Sequence, residues 1–143
     1  MIWIYQTYYI LAVRMDEIPK IKPEIFFYAE NEQDFNLLCS KLKEMSFDGS
    51  VLEITVRKKF INVTIAYRDY ALHWYVNEVL NDFVERLPFW DDDGFVEFFL
   101  QTGIKMTLCV VIYQYGTYPA MSIDNNILGL LNKFHGDLDF DIY

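Results

Sequence analysis

Two apolar periods alternate along the chain, and together they leave few folds open. Residues 51–56 and 60–67 are rich in β-branched side chains and carry apolar ones at every second position: Leu52, Ile54 and Val56, then Ile61, Val63 and Ile65. That period buries one face of a strand and wets the other. Phe35, Leu38, Leu42 and Met45 instead recur at steps of three and four, the spacing of one helix face. Hairpins interspersed with amphipathic helices predict an α+β fold. A largely antiparallel sheet would carry the helices packed on one face, because each element must bury its apolar side against another.

The punctuation of the chain refines this outline. Glu24 to Tyr28 reads as a short strand after a loop containing Pro19 and Pro23. Asn31 has the chemistry of a helix N-cap, with Glu32 and Asp34 suiting the positive end of the dipole, so a helix is expected over about 31–45. Arg57, Lys58 and Lys59 form the basic tip of a hairpin. A second helix is expected over 71–87, with Leu72, Val76, Val79, Phe83 and Leu87 on one face and Pro88 as its stop. Asp91, Asp92 and Asp93 open a short third helix that Gly103 closes. Residues 104–113 form the longest apolar strand. Ser122 or Asp124 then caps a fourth helix bearing Ile127, Leu130, Leu131 and Phe134, ended by His135-Gly136. Residues 138–143 close the chain as a strand of alternating apolar and acidic side chains. No Pro/Gly/Ser-rich linker divides the 143 residues, so one domain is expected across 1–143. The strand–helix–strand grouping in both halves raises a duplicated ferredoxin-like unit, although the halves share no sequence identity.

Charge narrows the partners. The net charge is −9, and it is uneven: residues 1–71 carry ten acids against nine bases, residues 72–143 eleven against three. Nucleic acid and anionic membrane demand a basic surface, so neither is expected as a partner. A basic protein is permitted, and an acidic surface also serves plain solubility. The apolar opening, with Trp3, Tyr5, Tyr9, Leu11 and Val13, reads as a β-strand rather than a signal peptide, since no basic n-region or small-residue cleavage site accompanies it. The chain is therefore expected in the cytoplasm. There Cys39 and Cys109 would be reduced core residues and the sequon Asn62-Val63-Thr64 would go unused.

No pattern of catalytic chemistry emerges. His73 and His135 are far apart, as are the cysteines, and neither HExxH nor CxxC occurs, so no metal or cofactor is expected. The run Asp91-Asp92-Asp93-Gly94 lacks the alternate spacing of a calcium loop, and the helix dipole accounts for it. There is no Gly-x-Ser-x-Gly elbow and no phosphate-cradling glycine loop. Asp137, Asp139 and Asp141 share one face of the last strand, as in an edge strand guarded by charge; a polar row facing a ligand is the other reading.

On the expected second helix, Trp74, Glu78, Asn81 and Glu85 fall opposite the apolar stripe. A tryptophan among acids is either a contact anchor or is covered by Phe89-Trp90 or by residues 115–119. The expected binding face comprises Trp74, Glu78, Glu85, Trp90, Asp91, Asp92 and Asp93. The function it suggests is a non-enzymatic protein-binding module, of the immunity type, that captures a basic partner. The alternative is a small-ligand-binding or enzymatic domain with a cleft lined by Tyr113, Tyr115, Tyr118 and the terminal acids; a structural accessory or homodimer is a third.

The second half also carries a likeness. Leu72-His73-Trp74, a short helix, the run Val110-Val111-Ile112-Tyr113-Gln114-Tyr115-Gly116, a Ser-capped helix and the ending Leu138-Asp139-Phe140-Asp141-Ile142-Tyr143 follow in order. Together, over about residues 70–143, they resemble the bacterial domain-of-unknown-function family numbered 4279, whose members are small and often end in a similar segment. The resemblance implies a small bacterial α+β domain with no assigned activity, and it transfers no catalytic residue.

Overall fold

Pro23 lies inside the strand at the centre of the sheet, not in a loop before it. In the computed structural model, which describes residues 18–116 and 118–143, β1 runs from Lys20 to Tyr28. A proline is tolerated here because β1 pairs with one neighbour only up to Ile21 and with the next only from Glu24. Residues 22 and 23 have no partner on that side, so the missing N–H costs no ladder bond. The strand expected around Trp3 to Val13 lies outside the described residues.

Five more strands follow: β2 (Leu52–Arg57), β3 (Asn62–Tyr67), β4 (Ala71–Leu72), β5 (Lys105–Tyr113) and β6 (Asp137–Ile142). The helices are α1 (Glu32–Lys43), α2 (Val76–Glu85), α3 (Asp93–Leu100) and α4 (Asn125–Lys133). The sheet order is β2-β3-β1-β5-β6, with β4 beside the start of β1. Every pair is antiparallel except β5 with β6, which α4 connects as a parallel crossover. This is an α+β fold. The first half closes as the β2–β3 hairpin and the second as the β5–α4–β6 crossover.

One row of side chains from each central strand meets all four helices in a single apolar cluster, among them Ile25, Phe27, Val63, Ile65, Leu108 and Val110 from the sheet. Its centre is aromatic. Phe89 stacks on Phe95 at 4.8 Å, and Phe134 packs edge-on to Phe99 at 5.1 Å. Each such side chain, fully buried, contributes about 2–3 kcal/mol.

The second helix is shorter than its apolar stripe suggests. Residues 71–72 are strand, and α2 begins at Val76. The intervening backbone is taken by another partner: Ala120 N–H donates to the Trp74 carbonyl (2.7 Å) and Val76 N–H to the Ala120 carbonyl (3.1 Å). An extended segment whose carbonyl and N–H are both taken by Ala120 cannot also wind into a helix. Asn31, Asp92 and Asp124 are the N-caps of α1, α3 and α4. At the end of α4 the division of labour is unexpected. His135 takes the left-handed conformation (φ 50°), while Gly136 lies against Met106, whose Cε would have to move from a Cβ there, 2.6 Å away.

Candidate functional site

The shortened α2 changes the geometry of the expected binding face. Trp74 lies outside the helix, so the helical wheel that turned it outward does not apply. It is half-buried, and its backbone carbonyl accepts from Ala120 N–H. Trp90 is half-buried against the core, with Lys133 Nζ 5.9 Å above its ring. Asp91, Asp92 and Asp93 are exposed, and Asp92 is committed to capping α3 through Phe95 N–H (3.1 Å). Glu78 and Glu85 are exposed on α2 and, seven residues apart, share one face of it. Asp82, four residues after Glu78, completes an acidic stripe on that face.

A cavity of about 470 Å³ opens beside this stripe, between α2 and the end of β3. Val51, Ala71 and Val79 give it an apolar lining. Tyr67, Asp69, His73, Glu78 and Asp82 supply its polar groups, and no lysine or arginine lines it. Tyr67, His73, Glu78 and Asp82 are held in place by hydrogen bonds and ion pairs. The Tyr67 hydroxyl donates to Asp82 Oδ2 and lies 3.3 Å from the Val79 carbonyl. Arg86 Nε donates to the same Asp82 oxygen (2.9 Å), and Arg86 Nη1 reaches Asp48 at 3.6 Å. Tyr75 N–H donates to His73 Nδ1 (2.9 Å), which places the imidazole proton on Nε2, 2.9 Å from Glu78 Oε2.

Electrostatics fix the charge state of the central pair. Burial alone would raise the Asp82 carboxyl, but hydrogen bonds from Arg86 and Tyr67 and the guanidinium charge outweigh it and hold the pKa below the ordinary carboxylate range. Burial, and then the hydrogen bond to Asp82, push the Tyr67 phenol well above its ordinary value. Tyr67 is thus a neutral donor and Asp82 an anion at neutral pH. At the α2 N-terminus, Tyr75 is 54% exposed and packs its ring 5.8 Å from that of His73. It is the outward aromatic of this region in place of Trp74.

The alternative tyrosine and aspartate set lies elsewhere, on the sheet face turned away from the helices. Tyr113 stacks on Tyr143 at 5.0 Å and meets Tyr70 edge-on at 5.2 Å. The Tyr70 phenol is pushed up to about 12, first by its hydrogen bond with Tyr113 and then by burial. Asp139 and Asp141, exposed on β6, stand opposite Cys109 and Val111. Burial pushes the Cys109 thiol up to about 11, and Glu24 and the two aspartates add to the shift, so the thiol is not a poised nucleophile. Tyr115 and Tyr118 are exposed.

Among the described residues, no three His, Cys, Asp or Glu side chains are placed to hold a metal ion, and no helix is long and apolar enough to cross a membrane. Compared with known proteins, the chain matches no family model, no curated protein and no solved structure.

Proposed function

We propose that this protein is a non-enzymatic binding module that captures a basic partner by taking a lysine or arginine side chain into the acidic cavity beside α2. The observation that carries this reading is the convergence of Asp69, Glu78 and Asp82 on one cavity with apolar side chains and no lysine or arginine in its lining. A long cationic side chain matches both parts: its methylenes cover apolar surface while its head group meets carboxylates. Tyr67 and Asp82 are already fixed by Arg86, so the cavity would not have to organise on binding, which favours affinity. Glu85 extends the stripe, and the acidic excess of residues 72–143 would steer a basic partner toward it. An immunity-type protein that covers a basic toxin in the cytoplasm is the particular form we favour, a compartment in which two free thiols stay reduced. The kinship of residues 70–143 with family 4279 belongs to the same proposal and adds no residue role to it.

The test uses an arginine-rich peptide and an uncharged peptide of equal length, with binding kinetics measured at low and high salt. The arginine-rich peptide is expected to bind preferentially and to weaken as salt rises. Glu78→Lys with Asp69→Asn is expected to cost about tenfold or more in affinity, or ~1.4 kcal/mol, and Glu85→Lys to slow association alone. Equal binding of both peptides, or unaltered binding by the Glu78→Lys, Asp69→Asn variant, would contradict the reading.

A further inference from the structure

The two ends of the sheet are protected differently. β6, at one end, carries Asp137, Asp139 and Asp141 exposed along its length, the charge guard expected of a free edge. β2, at the other end, has no second neighbour among the described strands and exposes Ile54 (37%) and Val56 (47%). These two side chains border an apolar groove of about 470 Å³ against α1, to which Phe35, Cys39 and Leu42 also contribute. An edge of this kind is a template for strand pairing.

Its backbone is set for a partner. Arg68 N–H donates to the Val51 carbonyl (2.8 Å), so Val51 turns inward toward β3. By the alternation of an antiparallel ladder, residues 53, 55 and 57 also turn inward, and Ile54 and Val56 turn their N–H and C=O groups outward.

The sequence Leu52-Glu53-Ile54-Thr55-Val56-Arg57 is self-complementary when laid antiparallel to itself about Thr55. Glu53 then faces the second copy's Arg57, and the converse pair repeats it across the two-fold axis. Ile54 faces the second copy's Val56, and both residues have outward hydrogen-bonding groups. The four aliphatic side chains form one strip between two α1 helices. A slip by two residues toward the strand start would pair Glu53 with Thr55 and Arg57 with Val51, losing both charge pairs. Pairing β2 with β6 of another copy would instead bring the aspartate row beside Glu53, a like-charge contact. We infer that β2 is the interface of a two-fold symmetric homodimer, in which the sheets of two copies join edge to edge with Thr55 on the axis. This inference is independent of the cavity beside α2.

The experiment is sedimentation velocity on the full chain, with circular dichroism to verify that each variant is folded. Wild type is expected to show a concentration-dependent dimer. Glu53→Arg sets like charges opposite each other at both ends of the seam and is expected to give monomer, as is Arg57→Glu. Combining the two restores complementarity and is expected to restore the dimer. Independently, Thr55→Cys on the axis would bring two thiols within disulfide reach and is expected to form a covalent dimer under mild oxidation, against wild type as control for Cys39 and Cys109. A wild type that stays monomeric at the highest soluble concentration would overturn the inference. So would a dimer unaffected by Glu53→Arg, or a folded Thr55→Cys variant that gives no more cross-linking than wild type.

Discussion

Asp82 accepts from Tyr67 and Arg86 at once, and this shared carboxylate joins the end of β3 to α2 at the wall of the cavity. Because its folded pKa is lowered, Asp82 binds fewer protons in the native state than in the unfolded chain near its ordinary pKa. Its contribution to stability is therefore complete above about pH 4 and is lost as pH falls through the lowered value. Asp48 and Asp124 are shifted the same way and act in the same window. Asp82→Asn is expected to lower stability at pH 7 by about 1 kcal/mol, since the pair with Arg86 is half-exposed. It is also expected to flatten the acid side of a melting-temperature against pH curve, and an unchanged acid limb would show that Asp82 is not the linked group. Glu78 and Glu85 were legible in the sequence because they lie within one helix. Asp82 was equally legible at the i, i+4 step from Glu78. Tyr67, Asp69 and His73 were not legible, because only the packing of β3 and β4 against α2 brings them to the same cavity.

At the scale of elements, Asp124 does two jobs. One oxygen caps α4 by accepting from Asn126 and Ile127 N–H (3.1 and 3.4 Å), and the other accepts from Asn81 and Asn77 side chains of α2 (2.6 and 3.3 Å). Asp124→Ala removes both the cap and the clip, and a loss of about 1–2 kcal/mol is expected. It should appear in urea unfolding as a lower midpoint with an unchanged slope. Loss no greater than that of an exposed surface substitution would show that the clip contributes nothing. The cap Asn31 could be read from sequence because capping is local chemistry. The others could be narrowed to Asp91 to Asp93 and to Ser122 or Asp124 before the structure placed them at Asp92 and Asp124. The start of β1 and the start of α2 could not. Pro23 is excused by a gap in strand pairing, and residues 71–76 are claimed by β1 and by Ala120, which are tertiary facts. The hairpin tip at Lys58 and Lys59 was legible, but its backbone conformation belongs to the same class. Its turn is a short 3₁₀ segment followed by Ile61 in the left-handed region (φ 44°), whose carbonyl is held by Ala29 N–H at 3.0 Å.

For the whole molecule, composition was informative about charge, and the phenylalanine side chains went largely to the core. Of the twelve phenylalanines, Phe27, Phe89, Phe95, Phe99 and Phe134 form the centre of the core. The acidic excess, in contrast, stays at the surface, where no buried charged side chain occurs among the described residues. Burial of ions without partners is too costly for it to be otherwise. What the acidic excess does depends on whether it is focused, and the cavity beside α2 is where carboxylates converge on an apolar lining. A titration of the isotope-labelled full chain with a short arginine-rich peptide, followed by amide chemical shifts, reports directly on that focus. Shifts clustered at Tyr67, Asp69, His73, Glu78, Val79 and Asp82, saturating with peptide and fading with salt, are the expected result. Shifts scattered over the acidic surface, or concentrated at Asp91 to Asp93 or along β6 with the cavity residues unmoved, would contradict a cation-capturing cavity.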